Sequence, residues 1–302
     1  MSEIIPNIVG VAAIFIDDIV LPDGTTHIGQ LGGGVLHALM GASIWGERPG
    51  LSALHGNNLD PQIPKYIAQH MDISGLVELD LPQMRAWQLF EEDGKRTEVH
   101  RVDVTQPFTE GAQPHHLPES YTHAKAFYLL QTFEGIRRWT QVTNELTLWE
   151  PSQLVMLPDK REEIRDVLQN QKIDVISPNL TEAQMVYGDL PPTELINTML
   201  DDGAQMVALR MGEDGSIISD KQTGKHQQVG VVEVNHIIDQ TGAGNSYCGG
   251  LLAGLVQGKS LKESAIMGTV SASFCLETIG ILKPEQINSK ERDKRLQLLM
   301  DK

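Results

Sequence analysis

The apolar residues of this chain fall into two alternating rhythms. Short, nearly uninterrupted apolar runs at residues 8–14, 126–130, 146–150, 174–177 and 206–210 have the length expected of strands buried on both faces. Between and after them, residues 134–144, 159–170, 181–187 and 193–201 repeat apolar side chains at helical spacing. Strand and helix alternating on this scale predict a doubly wound αβα sandwich with helices on both faces of a parallel sheet. Two excursions break the rhythm. Segments 17–20 and 27–30 flank the turn Asp23-Gly24, and 85–90 and 96–102 flank the turn 92–95. Both are short, more polar and hairpin-like, so lid strands at roughly 17–30 and 85–102 are expected within a single α/β domain spanning residues 1–302. A further hairpin is expected at 216–230, then a β-like run at 231–238, a turn, and a helix from Ser246 onward.

Composition narrows the functional classes. The chain has 302 residues and 40% hydrophobic content, enough for one large domain with an ordinary core. A net charge of −16 argues against electrostatic binding of nucleic acid or anionic membrane, both of which need clustered Lys and Arg. The apolar N-terminal stretch lacks a basic leader and is interrupted by Asp17 and Asp18, so neither a signal peptide nor a membrane span is expected, and the expected location is the cytoplasm. Cys248 and Cys275 lack any ligand or disulfide spacing and are expected to be buried free thiols.

The densest chemistry lies in Asp239-Gln-Thr-Gly-Ala-Gly-Asn245, a glycine-rich turn feeding a small-residue helix. Gly242, Ala243 and Gly244 let backbone N–H groups approach a ligand closely where the helix dipole favours negative charge, so a phosphate suits this turn. A plain βα turn is the bland alternative. A second glycine run, Gly32-Gly33-Gly34, opens an apolar helix at 35–45 and reads either as a close approach to a polyol or as a flexible entry loop. Asn179 and Glu182 stand where a strand ends and a helix begins, a placement that helix electrostatics alone would explain.

The first of these segments resembles the D-T-x-G-A-G-D signature of the ribokinase (PfkB) family of carbohydrate kinases, and GGGVLHALMG resembles that family's N-terminal G-G-x-x-x-N signature, with His37 at the Asn position. Asn179 and Glu182 resemble its N-x-x-E motif, Arg210 through Gly215 its T-x-G-x-x-G segment with Arg for Thr, and Arg96 its lid D-G-x-R element, all in the family's order. The resemblance implies a ribokinase-like fold and ATP-dependent transfer of a γ-phosphoryl group to a hydroxyl of a sugar or sugar-like molecule. It implies a phosphate hole at Gly242, Ala243 and Gly244, and nucleotide contacts from Thr241, Asn179, Glu182, Arg210, Gly212 and Gly215. Asp17, Gly33, Gly34, His37 and Arg96 would meet the substrate, with Asp18 a rival to Asp17 and Glu150 a further contact. Glu182 would help hold Mg²⁺ through water, a monovalent cation is a further candidate cofactor, and a homodimer through the lid is a candidate assembly. The departure is Asn245, which stands where the family has its catalytic Asp. An amide is no general base, so an enzyme weakened at this step and a pseudokinase that binds nucleotide or sugar without turnover both remain open, with Asp239 a second carboxylate for the proton.

Overall fold

The computed structural model describes residues 5–92, 96–101, 108–143 and 145–301. Its first strand, β1 (Ile8–Ala13), is buried along its whole length and alternates between two cores. Ile8 and Ala12 face one hydrophobic cluster, whereas Val9, Val11 and Ala13 face the other. That two-sided burial explains why the run carries no polar alternation. β2 (Phe15–Val20) and β3 (Thr26–Gly32) leave the core, and helix α1 (Gly34–Ser43) returns to it. β4 (Gly50–Gly56), α2 (Gln62–His70) and β5 (Asp72–Leu79) follow. The second excursion is β6 (Arg85–Phe90) and β7 (Arg96–His100). The expected turn there includes residues 93–95, which lie outside the described residues, as does Val102.

The alternation then resumes with β8 (Ala126–Gln131), α3 (Phe133–Trp139), β9 (Leu146–Pro151), α4 (Arg161–Asn170), β10 (Val175–Ile176), α5 (Leu180–Tyr187), α6 (Pro192–Asp201) and β11 (Met206–Arg210). The hairpin β12 (Ser216–Asp220) and β13 (Lys225–Val229) is followed by helices α7 (Ala243–Val256), α8 (Leu261–Leu276) and α9 (Ser289–Met300). The main sheet has nine strands in the order β13-β12-β11-β10-β9-β8-β1-β4-β5, parallel from β11 to β5 with the hairpin antiparallel at one edge. The lid is a separate four-stranded sheet, β3-β2-β6-β7.

Two expectations change. Residues 231–238 form no strand but an irregular run that leaves Ile237 and Ile238 exposed, because β13 already closes the sheet edge. Helix α7 begins at Ala243 and so takes Asn245 into its first turn. Its small residues allow close packing: a Cβ on Gly249 would strike the Ala38 carbonyl of α1. The start of α7 is thereby drawn against the start of α1.

Among the described residues no helix is long and apolar enough to cross a membrane. Both cysteines are free and buried.

Candidate active site

β9, β10 and β11 lie side by side, and their C-terminal ends deliver Glu150, the Ser177-Pro178-Asn179 segment and Arg210 to one edge of the sheet. The open end of a doubly wound sheet is where such folds bind ligands. The glycine-rich turn arrives there too. Gly242 takes φ +74°, a left-handed conformation that a side chain would strain, and a Cβ on it would run into the ring of His37. The turn is braced by Asp239, whose Oδ1 accepts from the Thr241 N–H at 2.8 Å and whose Oδ2 accepts from the Gly280 N–H at 3.0 Å. With both oxygens so engaged and the side chain buried, Asp239 braces the turn rather than standing free as a second carboxylate for the proton. Ala243 turns its N–H to the Gln240 carbonyl at 3.3 Å, while the next N–H groups of a helix's first turn lie beyond the reach of intrahelical acceptors.

The two glycine runs, about 200 residues apart in sequence, meet in space. A Cβ on Gly34 would come within 2.9 Å of the Asn245 Nδ2. Gly33, at φ +101°, forms the N-cap of α1 and lies against the Ala13 carbonyl at the end of β1. His37, one turn further on, is 1% exposed. Burial, reinforced by the Arg96 charge, holds its imidazole down at about 4, so it is neutral. Its ring packs against Gly242 with the Cys275 Sγ 3.7 Å from Nδ1, which makes it part of the turn's support rather than an open ligand to a hydroxyl.

Behind the turn lies a buried ionic network. Arg210 reaches inward, with Nη1 2.8 Å from Glu150 Oε1, Nη2 donating to the Ser177 carbonyl at 2.8 Å, and Glu182 Oε2 at 3.9 Å. Its guanidinium occupies the space that a Cβ on Gly244 would need. The surrounding carboxylates raise its affinity for its proton further, against the opposing effect of burial. Tyr128 donates to Glu150 Oε2 at 2.7 Å and lies 3.1 Å from the Asn245 Nδ2. Asn179 and Glu182 form a reciprocal cap on α5: Asn179 Oδ1 accepts from the Glu182 N–H, and Glu182 Oε2 from the Asn179 N–H, each at 2.8 Å. Burial pushes the Glu182 carboxyl upward, partly offset by Arg210. Gly212 and Gly215 shape a tight turn just beyond β11, closed by the Met211 N–H on the Gly215 carbonyl.

The lid separates the two neighbouring acidic residues of β2. Asp18 accepts from Arg85 at 2.6 Å and from the Gly29 N–H at 2.8 Å on one face. On the other face Asp17 lies against Gly32, accepts from Gln88 at 3.1 Å, and is within electrostatic reach of Glu98, Arg96 and Asp239. Arg96 lies 3.9 Å from Glu98, and its charge also acts on Asp17, His37 and Glu182. Burial raises the Glu98 carboxyl, but the His100 hydrogen bond and the Arg96 charge outweigh it and bring it down to about 2. A separate cavity of about 300 Å³ lies on the Asp18 face, lined by Ile16, Asn58, Asp60, Gln83 and Arg85, away from Asn245.

Burial drives Asp17 the other way, up to about 7 from 3.8, with Glu98 adding to the shift and Gln88 and Arg96 opposing it. Between those values the folded chain keeps a proton that the unfolded chain releases. The stability contributed by protonated Asp17 is therefore complete below the unfolded value and lost as pH rises through about 7. Asp17→Asn is expected to raise the thermal midpoint at pH 8 by an amount that shrinks toward pH 4. An equal gain at both pH values would remove this account of Asp17.

A doubly wound sheet, a small second sheet and a glycine-rich turn at the sheet edge make up a ribokinase-like fold, and solved structures bear it out. A probable sugar kinase from Rhizobium etli superposes with TM-score 0.78 at 18% identity, covering 98% of this chain and all of the other. A putative ribokinase II from E. coli in complex with ATP and Mg²⁺ gives TM-score 0.74 at 15% identity over 97% and 99% of the two chains. Residues 138–287 match the pfkB family carbohydrate kinases. The cytidine kinase of Thermococcus kodakarensis is 24% identical over 91% of this chain and 97% of its own. Together these indicate a kinase, a phosphotransferase.

Sequence reasoning did not find Tyr128, Gln88 or Ser177. The only available signal was weak: a Tyr inside a buried strand needs a partner for its hydroxyl.

Proposed function

We propose that this protein transfers the γ-phosphoryl group of ATP to a hydroxyl of a sugar or nucleoside bound beneath the lid. The observation that carries the reading is the convergence of Gly34, the Gly242–Gly244 turn and Asn245 at the sheet edge, beneath the lid carboxylate Asp17. The backbone N–H groups at the start of α7 face the transferring phosphoryl, where fixed dipoles stabilise developing charge. Thr241 Oγ1 and Arg210 Nε are buried and, among the described residues, have no hydrogen-bond partner, which fits an anionic ligand at this turn. Asn179, Gly212 and Gly215 border the nucleotide side.

The residues also fit Mg²⁺. Glu182 directs one oxygen to its cap and leaves Oε1 for a water of the ion's shell, in keeping with an ion that retains waters and takes phosphate oxygens as further ligands. When bound, Mg²⁺ would offset phosphate charge. Ionised Asp17 accepts acceptor hydroxyls, so acceptor affinity should rise with pH through about 7. Asn245 orients the attacking hydroxyl by a hydrogen bond, which suits a largely dissociative transition state in which the proton leaves late.

Trp87 and Val99 are cross-strand partners on the outward lid face, 43% and 39% exposed, and we place a second copy of the chain there. A single-chain mass in sedimentation equilibrium would remove that element.

The test of the reading is ATP consumption with Mg²⁺ across a panel of sugars and nucleosides. The neutral amide at position 245 favours one other outcome, a binding protein without turnover. It predicts saturable ATP or nucleoside binding by calorimetry with no acceptor-dependent ADP.

A further inference from the structure

Tyr128 is completely buried and Glu150 nearly so, and both lie directly behind the first turn of α7. A tyrosine hydroxyl has one proton to give and lone pairs to receive with. Glu150 is paired with Arg210 through Oε1 at 2.8 Å, so it is a carboxylate and can only accept. The Tyr128 proton therefore belongs to Glu150 Oε2, at 2.7 Å, and what the hydroxyl offers to position 245 is lone pairs. The partner must be a donor, and the Asn245 Nδ2 supplies it at 3.1 Å. The hydrogen-bond network assigns the amide orientation.

We infer that Tyr128 is a positioning residue: anchored by Glu150, it takes the amide N–H of Asn245, presents Oδ1 to the acceptor hydroxyl, and makes position 245 suited to an amide and opposed to a carboxylate. The inference rests on the kinase reading for its consequence and on the hydrogen-bond directions for its geometry. A carboxylate at 245 would bring an acceptor-only group to a hydroxyl that already donates its proton's hydrogen bond to Glu150. Either Glu150 or the new carboxylate would lose its bond, with two negative charges sharing one buried site. Glu150→Gln changes the directions. The Gln oxygen can accept from Arg210, its amide can donate to the Tyr128 oxygen, and the tyrosine proton is released toward position 245. The double substitution N245D/E150Q thus moves one negative charge from 150 to 245 without changing the total.

The test uses the full chain and three variants, with kcat and KM measured separately. Y128F is expected to lower kcat about 10-fold with KM for ATP unchanged, a split that a merely structural defect would not give. N245D alone is expected to fall below the native protein, also by about 10-fold, and N245D/E150Q to recover to the native rate or above it. Greater activity for N245D than for the native chain, or an unchanged kcat for Y128F, would overturn the inference. A second measurement needs no turnover: the side-chain amide protons of Asn245, assigned by NMR, should exchange slowly in the native protein and lose that protection in Y128F. Equal exchange in both overturns the orientation even if the enzyme is active. Loss of protection in a chain that turns over no acceptor supports the orientation while retiring the kinase reading.

Discussion

Replacing Gly244 with alanine is expected to lower kcat/KM for phosphoryl transfer by about 100- to 1,000-fold, the usual cost of disabling an oxyanion-type donor set. The added methyl group would occupy the position of the Arg210 guanidinium. A long side chain normally yields to such an intrusion at little cost. Arg210 is not free to do so, because Glu150 and the Ser177 carbonyl hold two of its nitrogens at 2.8 Å. Either the arginine leaves its partners or the turn shifts away from it, and an ångström of misplacement is enough to spoil alignment with a transferring group. Steady-state kinetics of the variant beside the native chain read the effect. Activity within a few-fold of native would show that the turn does not border the phosphoryl group.

The second large effect falls on stability. Arg210→Met is expected to destabilise the fold by about 3–5 kcal/mol, since removing one member of a buried ion pair leaves the other charge uncompensated. Glu150 is 4% exposed, and Arg210 supplies its only ion-pair partner among the described residues. The Tyr128 hydrogen bond remains but carries no charge. Urea unfolding should show a lower midpoint at unchanged slope. The paired change Glu150→Leu with Arg210→Met should recover much of the loss, because apolar replacement of both partners is often close to neutral. A single variant as stable as the native chain would mean that water reaches Glu150, contrary to its burial here.

The main architecture was legible in the sequence because a doubly wound sheet buries its strands on both faces, and runs such as 8–14 and 206–210 show it directly. The lid was legible for the opposite reason: its strands interrupt that pattern with polar residues and turns. Residues 231–238 misled because a β-like composition says nothing about whether a neighbouring strand has an open edge. The turn at 239–245 was recognisable from its glycines, yet its surroundings were not. Whether Arg210 faces solvent, phosphate or Glu150 depends on strands that are adjacent in the sheet and remote in the chain. The same holds for Tyr128, which nothing local distinguishes from a core aromatic. His37 looked like a hydroxyl ligand by position, whereas the close packing of α1 on α7 makes it a buried, neutral prop for Gly242. Of the two lid aspartates, strand alternation separates their faces, but only the three-dimensional contacts show that Asp17 is the one lying against Gly32, next to the Gly33-Gly34 run.

The central claim is that the Gly242–Gly244 turn and Asn245 form a working phosphotransfer site without a carboxylate at position 245. Its most direct test is detection of a phosphorylated acceptor by mass spectrometry after incubation of the native chain with ATP, Mg²⁺ and mixed sugars and nucleosides, with Gly244→Ala run alongside. The account predicts an acceptor gaining one phosphate with matching ADP in the native sample and near-background product in the variant. No phosphorylated acceptor in the native sample, or equal product from both proteins, would contradict it.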